Sequence, residues 1–90
     1  MSVKINVHYF LPSLTDDQDV VQVTGTSVGQ CLEQLVSRFP KLRGRVFEED
    51  GKLSNYFDVY VNLENASPEG LAKPVNDGDE IHLIMLVSGG

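Results

Sequence analysis

The residues with the clearest chemical potential stand at the end of the chain, Leu86-Val87-Ser88-Gly89-Gly90. Glycine makes up about 7% of average sequence, so a pair at a given place arises by chance about half a percent of the time. This pair follows directly on an apolar stretch, Ile81 to Val87, rather than on polar low-complexity sequence. Main chain without Cβ atoms is the slimmest available and adopts conformations closed to other residues, which suits a narrow channel. The carboxylate of Gly90 is a poor electrophile until ATP converts it to an acyl-adenylate. A sulfur or amine nucleophile can then take the acyl group in a site supplied by another protein. Gly90 is therefore read as the reacting residue, and Val87, Ser88 and Gly89 as the segment that threads a partner's site.

The remaining reactive side chains have plainer explanations. His8 and His82 fall opposite in phase to the apolar residues of their strands, as solvent-facing residues do. No third ligand accompanies them at metal spacing, and one cysteine does not make a structural zinc site. Cys31 lies on an apolar helix stripe, where a free thiol behaves as a small buried hydrophobe. The acidic runs Asp16-Asp17, Glu48-Glu49-Asp50 and Asp77-Gly78-Asp79-Glu80 sit at turns, which favour aspartate without any catalytic role. Arg38, Lys41, Arg43 and Arg45 follow the helix and complement the negative end of its dipole. The chain has neither GxxxxGK[ST] nor GxGxxG, the phosphate-cradling glycine patterns. The expectation is a protein that is not itself an enzyme, with no metal and no bound cofactor.

Positioning the tail requires a scaffold, and the apolar periodicity supplies one. Val3, Ile5, Val7 and Tyr9 alternate with polar residues, the period of a half-buried strand. Gln18 to Thr24 reads as a second strand with Val21 and Val23 on one face, and a short connection favours an antiparallel hairpin. Val28, Cys31, Leu32, Leu35, Val36 and Phe39 form one helical stripe. Ser27 and Gln30 have the spacing of a capping box, and Pro40 stops the helix after about Phe39. Val46-Phe47 suits either a short strand or a helical turn. Phe57, Val59, Val61 and Leu63 alternate as a third strand, Asn65 to Asn76 reads as a loop, and Ile81 to Val87 is the last strand. One helix covers one face of such a sheet, which predicts a two-layer α+β domain over residues 1–90, with a flexible tail at 87–90. If Ile81, Leu83 and Met85 face the helix, Ile84 and Leu86 face the other way. With Tyr60 they make a candidate partner patch, although a strand buried on both faces reads the same way.

Composition narrows the classes. Ninety residues suffice for one modest core. Seven Lys/Arg against thirteen Asp/Glu leave a formal charge of −6, which disfavours nucleic acid and anionic membranes and points to partners with basic docking surfaces. No apolar run approaches the roughly 20 residues of a membrane span, and Met1-Ser2-Val3-Lys4 does not begin a signal peptide. A cytoplasmic protein, monomeric when free, is expected.

Val3 to Phe10, Thr26-Ser27-Val28-Gly29 with Leu32 and Leu35, Asp77-Gly78-Asp79-Glu80-Ile81 and Val87-Ser88-Gly89-Gly90 together resemble the MoaD/ThiS family of ubiquitin-like sulfur carriers. The match spans nearly the whole chain. The resemblance implies a β-grasp fold with a mixed sheet and one main helix. It implies a Gly90 carboxylate adenylated by an ATP-dependent, ubiquitin-activating-type adenylyltransferase, and a thiocarboxylate formed with a sulfur donor used by that partner. A sulfur-accepting biosynthetic enzyme is the second partner implied. Molybdopterin-synthase small subunits carry Phe-Pro-Pro where this chain has Ile84-Met85-Leu86. Gly51-Lys52-Leu53, Tyr60-Val61-Asn62 and Gly70-Leu71 resemble instead the CysO-like carriers that feed cysteine or homocysteine synthesis. Two alternatives stay open: a ubiquitin-like modifier joined through Gly90 to lysines, and a β-grasp binding module with an incidental tail.

Overall fold

The computed structural model describes residues 2–7, 15–54 and 57–85, with Met85 described by its backbone alone. His8, Tyr9 and residues 86–90 lie outside the described residues. In chain order the elements are β1 (Ser2–Asn6), β2 (Val20–Thr24), α1 (Val28–Arg38), a 3₁₀ turn (Pro40–Leu42) and the short helix α2 (Arg43–Val46). β3 (Phe57–Val61), β4 (Glu64–Asn65), a second 3₁₀ turn (Gly70–Ala72) and β5 (Glu80–Met85) complete the order. The strands form one sheet in the order β2-β1-β5-β3-β4. β1 pairs antiparallel with β2 and parallel with β5, and β3 pairs antiparallel with β4 and β5. This is the mixed sheet of the β-grasp fold, and it sets the last strand at the centre.

Local chemistry explains the helix boundaries. Ser27 has extended backbone and its Oγ accepts the Gln30 amide at 3.2 Å. Gln30 Oε1 in return accepts from the amide and hydroxyl of Thr26 at 2.8 and 2.9 Å, one residue before the position a capping box uses. Ser27 is bridged across to Pro74, with the Val28 amide donating to Lys73 and the Val75 amide to Thr26. At the other end Phe39 leaves the helical region ahead of Pro40 (φ −125°, ψ 79°), as a residue before proline must.

Val28, Cys31, Leu32, Leu35 and Val36 of α1 are fully buried against Val3, Ile5, Val21, Val23, Val59, Ile81 and Leu83 of the sheet. Burial of each such aliphatic side chain contributes about 1.5–3 kcal/mol. Leu42, Val46 and Phe47 join the same core. Val46 closes a helical turn and Phe47 an isolated bridge to Leu53, so this pair divides between the two forms its sequence allowed.

Two strand readings need correction. Leu63, in phase with Phe57, Val59 and Val61, is 94% exposed. β3 ends at Val61, which pairs with Glu64, so Asn62 and Leu63 are the two-residue turn into β4. Asn62 takes a left-handed conformation there (φ 56°), a region asparagine tolerates better than most residues. The stretch read as a loop contains Asn65 of β4 and the 3₁₀ turn. At two and three residues, each is too short to produce a periodic signal.

Candidate functional site

The register of β5 decides which of its side chains face α1 and which face away. Ile81 and Leu83 are buried under α1, whereas His82 and Ile84 lie half-buried on the sheet face that α1 leaves open. Tyr60 is directly opposite His82, and Ile84 is opposite Asp58. Tyr60 and Ile84 are therefore diagonal neighbours on one face, a spacing that long side chains bridge. The structure thus brings together two of the three residues of the candidate patch; Leu86 lies outside the described residues, as do Val87, Ser88, Gly89 and Gly90.

The same register adds neighbours that the strand pattern alone did not reveal. Asn6 pairs with both Val20 and His82, so Val20, Asn6, His82, Tyr60 and Asn65 form a row across all five strands. Val20 is 43% exposed at its edge. His82 Nε2 lies 3.8 Å from Glu80 Oε2 on the same face. The face mixes apolar, aromatic and charged side chains, as the rim and centre of a protein interface do.

The start of β5 is tied down from three sides. Asp79 accepts the Asn76 amide through Oδ2 at 2.8 Å and the Asn62 side-chain amide through Oδ1 at 3.1 Å. Asn62 Oδ1 accepts the Glu80 amide at 3.1 Å, and the Asn62 amide donates to the Glu80 carbonyl at 2.7 Å. Asp77 Oδ1 accepts from the Ser2 amide at 2.7 Å, and the Gly78 amide donates to the Ser2 carbonyl at 2.8 Å. Gly78 has φ 88°, a turn conformation that L side chains rarely adopt. The Asp-Gly-Asp-Glu segment was visible in the sequence as a turn. Its clasp on Asn62 was not, because the partners are 17 and 18 residues apart.

Cys31 is wholly buried, and that burial pushes its thiol pKa up, the opposite of what a reactive nucleophile requires. Its Sγ sits so close to the chain that a Cβ added to Gly25 would lie 2.9 Å from it. Among the described residues no three His, Cys, Asp or Glu side chains are grouped to hold a metal ion. Nor is any described helix long and apolar enough to cross a membrane. The basic group after α1 is split: Arg38 lies in the last turn of α1, whereas Arg43 binds Glu33 at 3.1 Å across exposed surface.

Comparison with known proteins bears on the family and the fold. The family model described as the ThiS family matches residues 7–90. The sulfur carrier protein CysO of Mycobacterium tuberculosis is 28% identical over 93 residues that cover the whole of both chains. The small archaeal modifier protein 1 of Haloferax volcanii is 39% identical over 71 residues, 78% of each chain. Among solved structures, a chain of the BexX/CysO complex from Amycolatopsis orientalis superposes with a TM-score of 0.86 at 29% identity. That match covers 98% of this chain and 99% of the other.

Proposed function

Because this chain belongs to the ThiS family of ubiquitin-like β-grasp proteins, we propose that it is a sulfur carrier whose Gly90 carboxylate bears the cargo. The carboxylate attacks the α-phosphorus of ATP in a partner adenylyltransferase, releasing pyrophosphate and leaving an acyl-adenylate. Hydrosulfide supplied through the partner then attacks the acyl carbon and displaces AMP, and the acyl group is left as a thiocarboxylate. Val87, Ser88 and Gly89 carry that group through the partner's channel, where the absence of a Cβ at Gly89 and Gly90 lets the end of the chain fit a narrow passage. Tyr60, Ile84 and Leu86 form the docking patch. The chain is a co-substrate, and the catalytic groups and the ATP belong to its partners.

The observation that carries this reading is that the family match extends through residue 90 and so includes Ser88-Gly89-Gly90. Similarity to CysO along the full length of both chains favours delivery to an enzyme of cysteine or homocysteine-methionine synthesis. Delivery to molybdopterin synthesis is the second option. The similarity to an archaeal modifier supports one alternative: a protein joined through Gly90 to lysine amines, by the same chemistry up to the adenylate.

Intact mass after incubation with the activating enzyme, ATP and a sulfur source separates these readings. Exchange of one oxygen for sulfur, lost on deletion of Gly90, is the carrier result. Isopeptide-linked lysines are the modifier result, and no change under conditions that load a related carrier refutes both.

A further inference from the structure

On the helical side of the molecule two adjoining hollows of about 590 and 660 Å³ share Glu33, Phe47 and Gly51, so they form one groove along α1 and α2. Its floor is apolar, made by Phe47, 7% exposed, and the partly buried Leu71. Four of the eight glycines in the chain line it: Gly25 and Gly29 are packed against Cys31 and Leu71, whereas Gly44 and Gly51 leave the wall low. A Cβ added at Gly44 or Gly51 would meet nothing within 4 Å, so the space above them is open.

The charge on the groove has one sign left over. Glu33, Glu48 and Glu49 stand along it with Arg43 as the lining cation, and Arg43 is already bonded to Glu33. Among the described residues no cation pairs with Glu48 or Glu49. The acidic side chains are not grouped to hold a metal ion. An apolar floor between low walls, under uncompensated carboxylates, matches a partner carrying positive charge beside an apolar side chain.

We propose that this groove docks an extended, lysine- or arginine-bearing segment of a partner protein, with an apolar side chain resting over Phe47. The cations lie along Glu48 and Glu49, and Gly44 and Gly51 admit the segment's backbone closely. The groove is on the helical layer, whereas Tyr60 and Ile84 are on the opposite face of the sheet. Occupation of one surface leaves the other free, and this docking does not depend on the chemistry of Gly90.

The test is an NMR titration of the ¹⁵N-labelled full chain with a short blocked peptide alternating lysine and leucine. A peptide alternating glutamate and leucine serves as control. The expected result is amide shifts at Gly29, Gly44, Phe47 and Gly51 with the basic peptide only, weakening as salt is added. Glu48→Gln with Glu49→Gln is expected to lower affinity at least fivefold. Gly44→Gln, which fills the groove with a neutral side chain at a position where a Cβ has room, is expected to do the same; the spectra report directly that each variant is folded. Shifts centred on Tyr60 and Ile84, no shifts, or unchanged affinity in either variant overturns the proposal.

Discussion

The two faces of the sheet are made by the same strands, yet they hold their side chains in opposite ways. Under α1, Ile5, Val21, Ile81 and Leu83 are at most 1% exposed. On the open face their sequence neighbours Lys4, Gln22, His82 and Ile84 are exposed or half-buried. The covered face is specified by volume and apolarity, since a packed interior leaves few voids. The open face obeys a looser rule, and it keeps Tyr60, His82, Asp58 and Ile84 within reach of another molecule. Folding energy is thus concentrated on one side of the layer, and the docking patch proposed for Tyr60 and Ile84 lies on the other.

Ile81 and Ile84, three residues apart on β5, put the largest number on that division. Ile81→Ala is expected to cost about 2–5 kcal/mol, the range for truncating a fully buried aliphatic residue. Ile84→Ala should cost less than half as much while slowing sulfur loading of Gly90. Urea denaturation and loading assays on both variants measure the contrast; equal destabilisation would remove the distinction between the faces.

Cys31 sharpens the covered side next. Burial raises its thiol pKa in the folded state, so the unfolded chain ionises first, near the ordinary thiol value of about 8.5. The contribution is whole below that pH and declines as pH rises towards the folded pKa. Cys31→Ala should lower stability by about 1 kcal/mol at neutral pH and flatten its fall above pH 8.5. Sulfur loading by the folded variant should be unchanged.

An effect of similar size is expected at the clasp that starts β5. Asn62→Ala removes the bonds to Asp79 and Glu80 and should cost about 1 kcal/mol, the usual net worth of such bonds. Asn62→Gly retains the left-handed turn, so any loss it shares with Asn62→Ala is due to the side-chain bonds. The smallest effect belongs to Leu63→Ser: at 94% exposure the change should stay within about 0.5 kcal/mol in a thermal or urea melt.

Much of the scaffold could be read along the chain. The α1 stripe from Val28 to Val36, its start at Ser27, its stop before Pro40 and the alternation of β1, β2, β3 and β5 all come from local spacing. So did the shared face of Tyr60 and Ile84, which needs only the phase of two strands. Leu63 was misread because alternation persists for two residues beyond Val61, where Val61 and Glu64 close a hairpin. A pattern two residues deep cannot distinguish the last position of a strand from the tip of a turn.

The sequence by itself determined which residues are apolar at the periods of helix and strand, and it put Ser-Gly-Gly directly after an apolar run. Those are matters of side-chain chemistry and backbone dihedrals, felt within a few residues. Tertiary structure alone decided that β5 lies between β1 and β3, that Asn62 holds Asp79, and that Val20, Asn6, His82 and Tyr60 share a row. It also decided that four glycines far apart in the chain line one groove. Each of these depends on strand register and on contacts between distant segments, which are selected by the packing of the whole core and leave no period in the sequence.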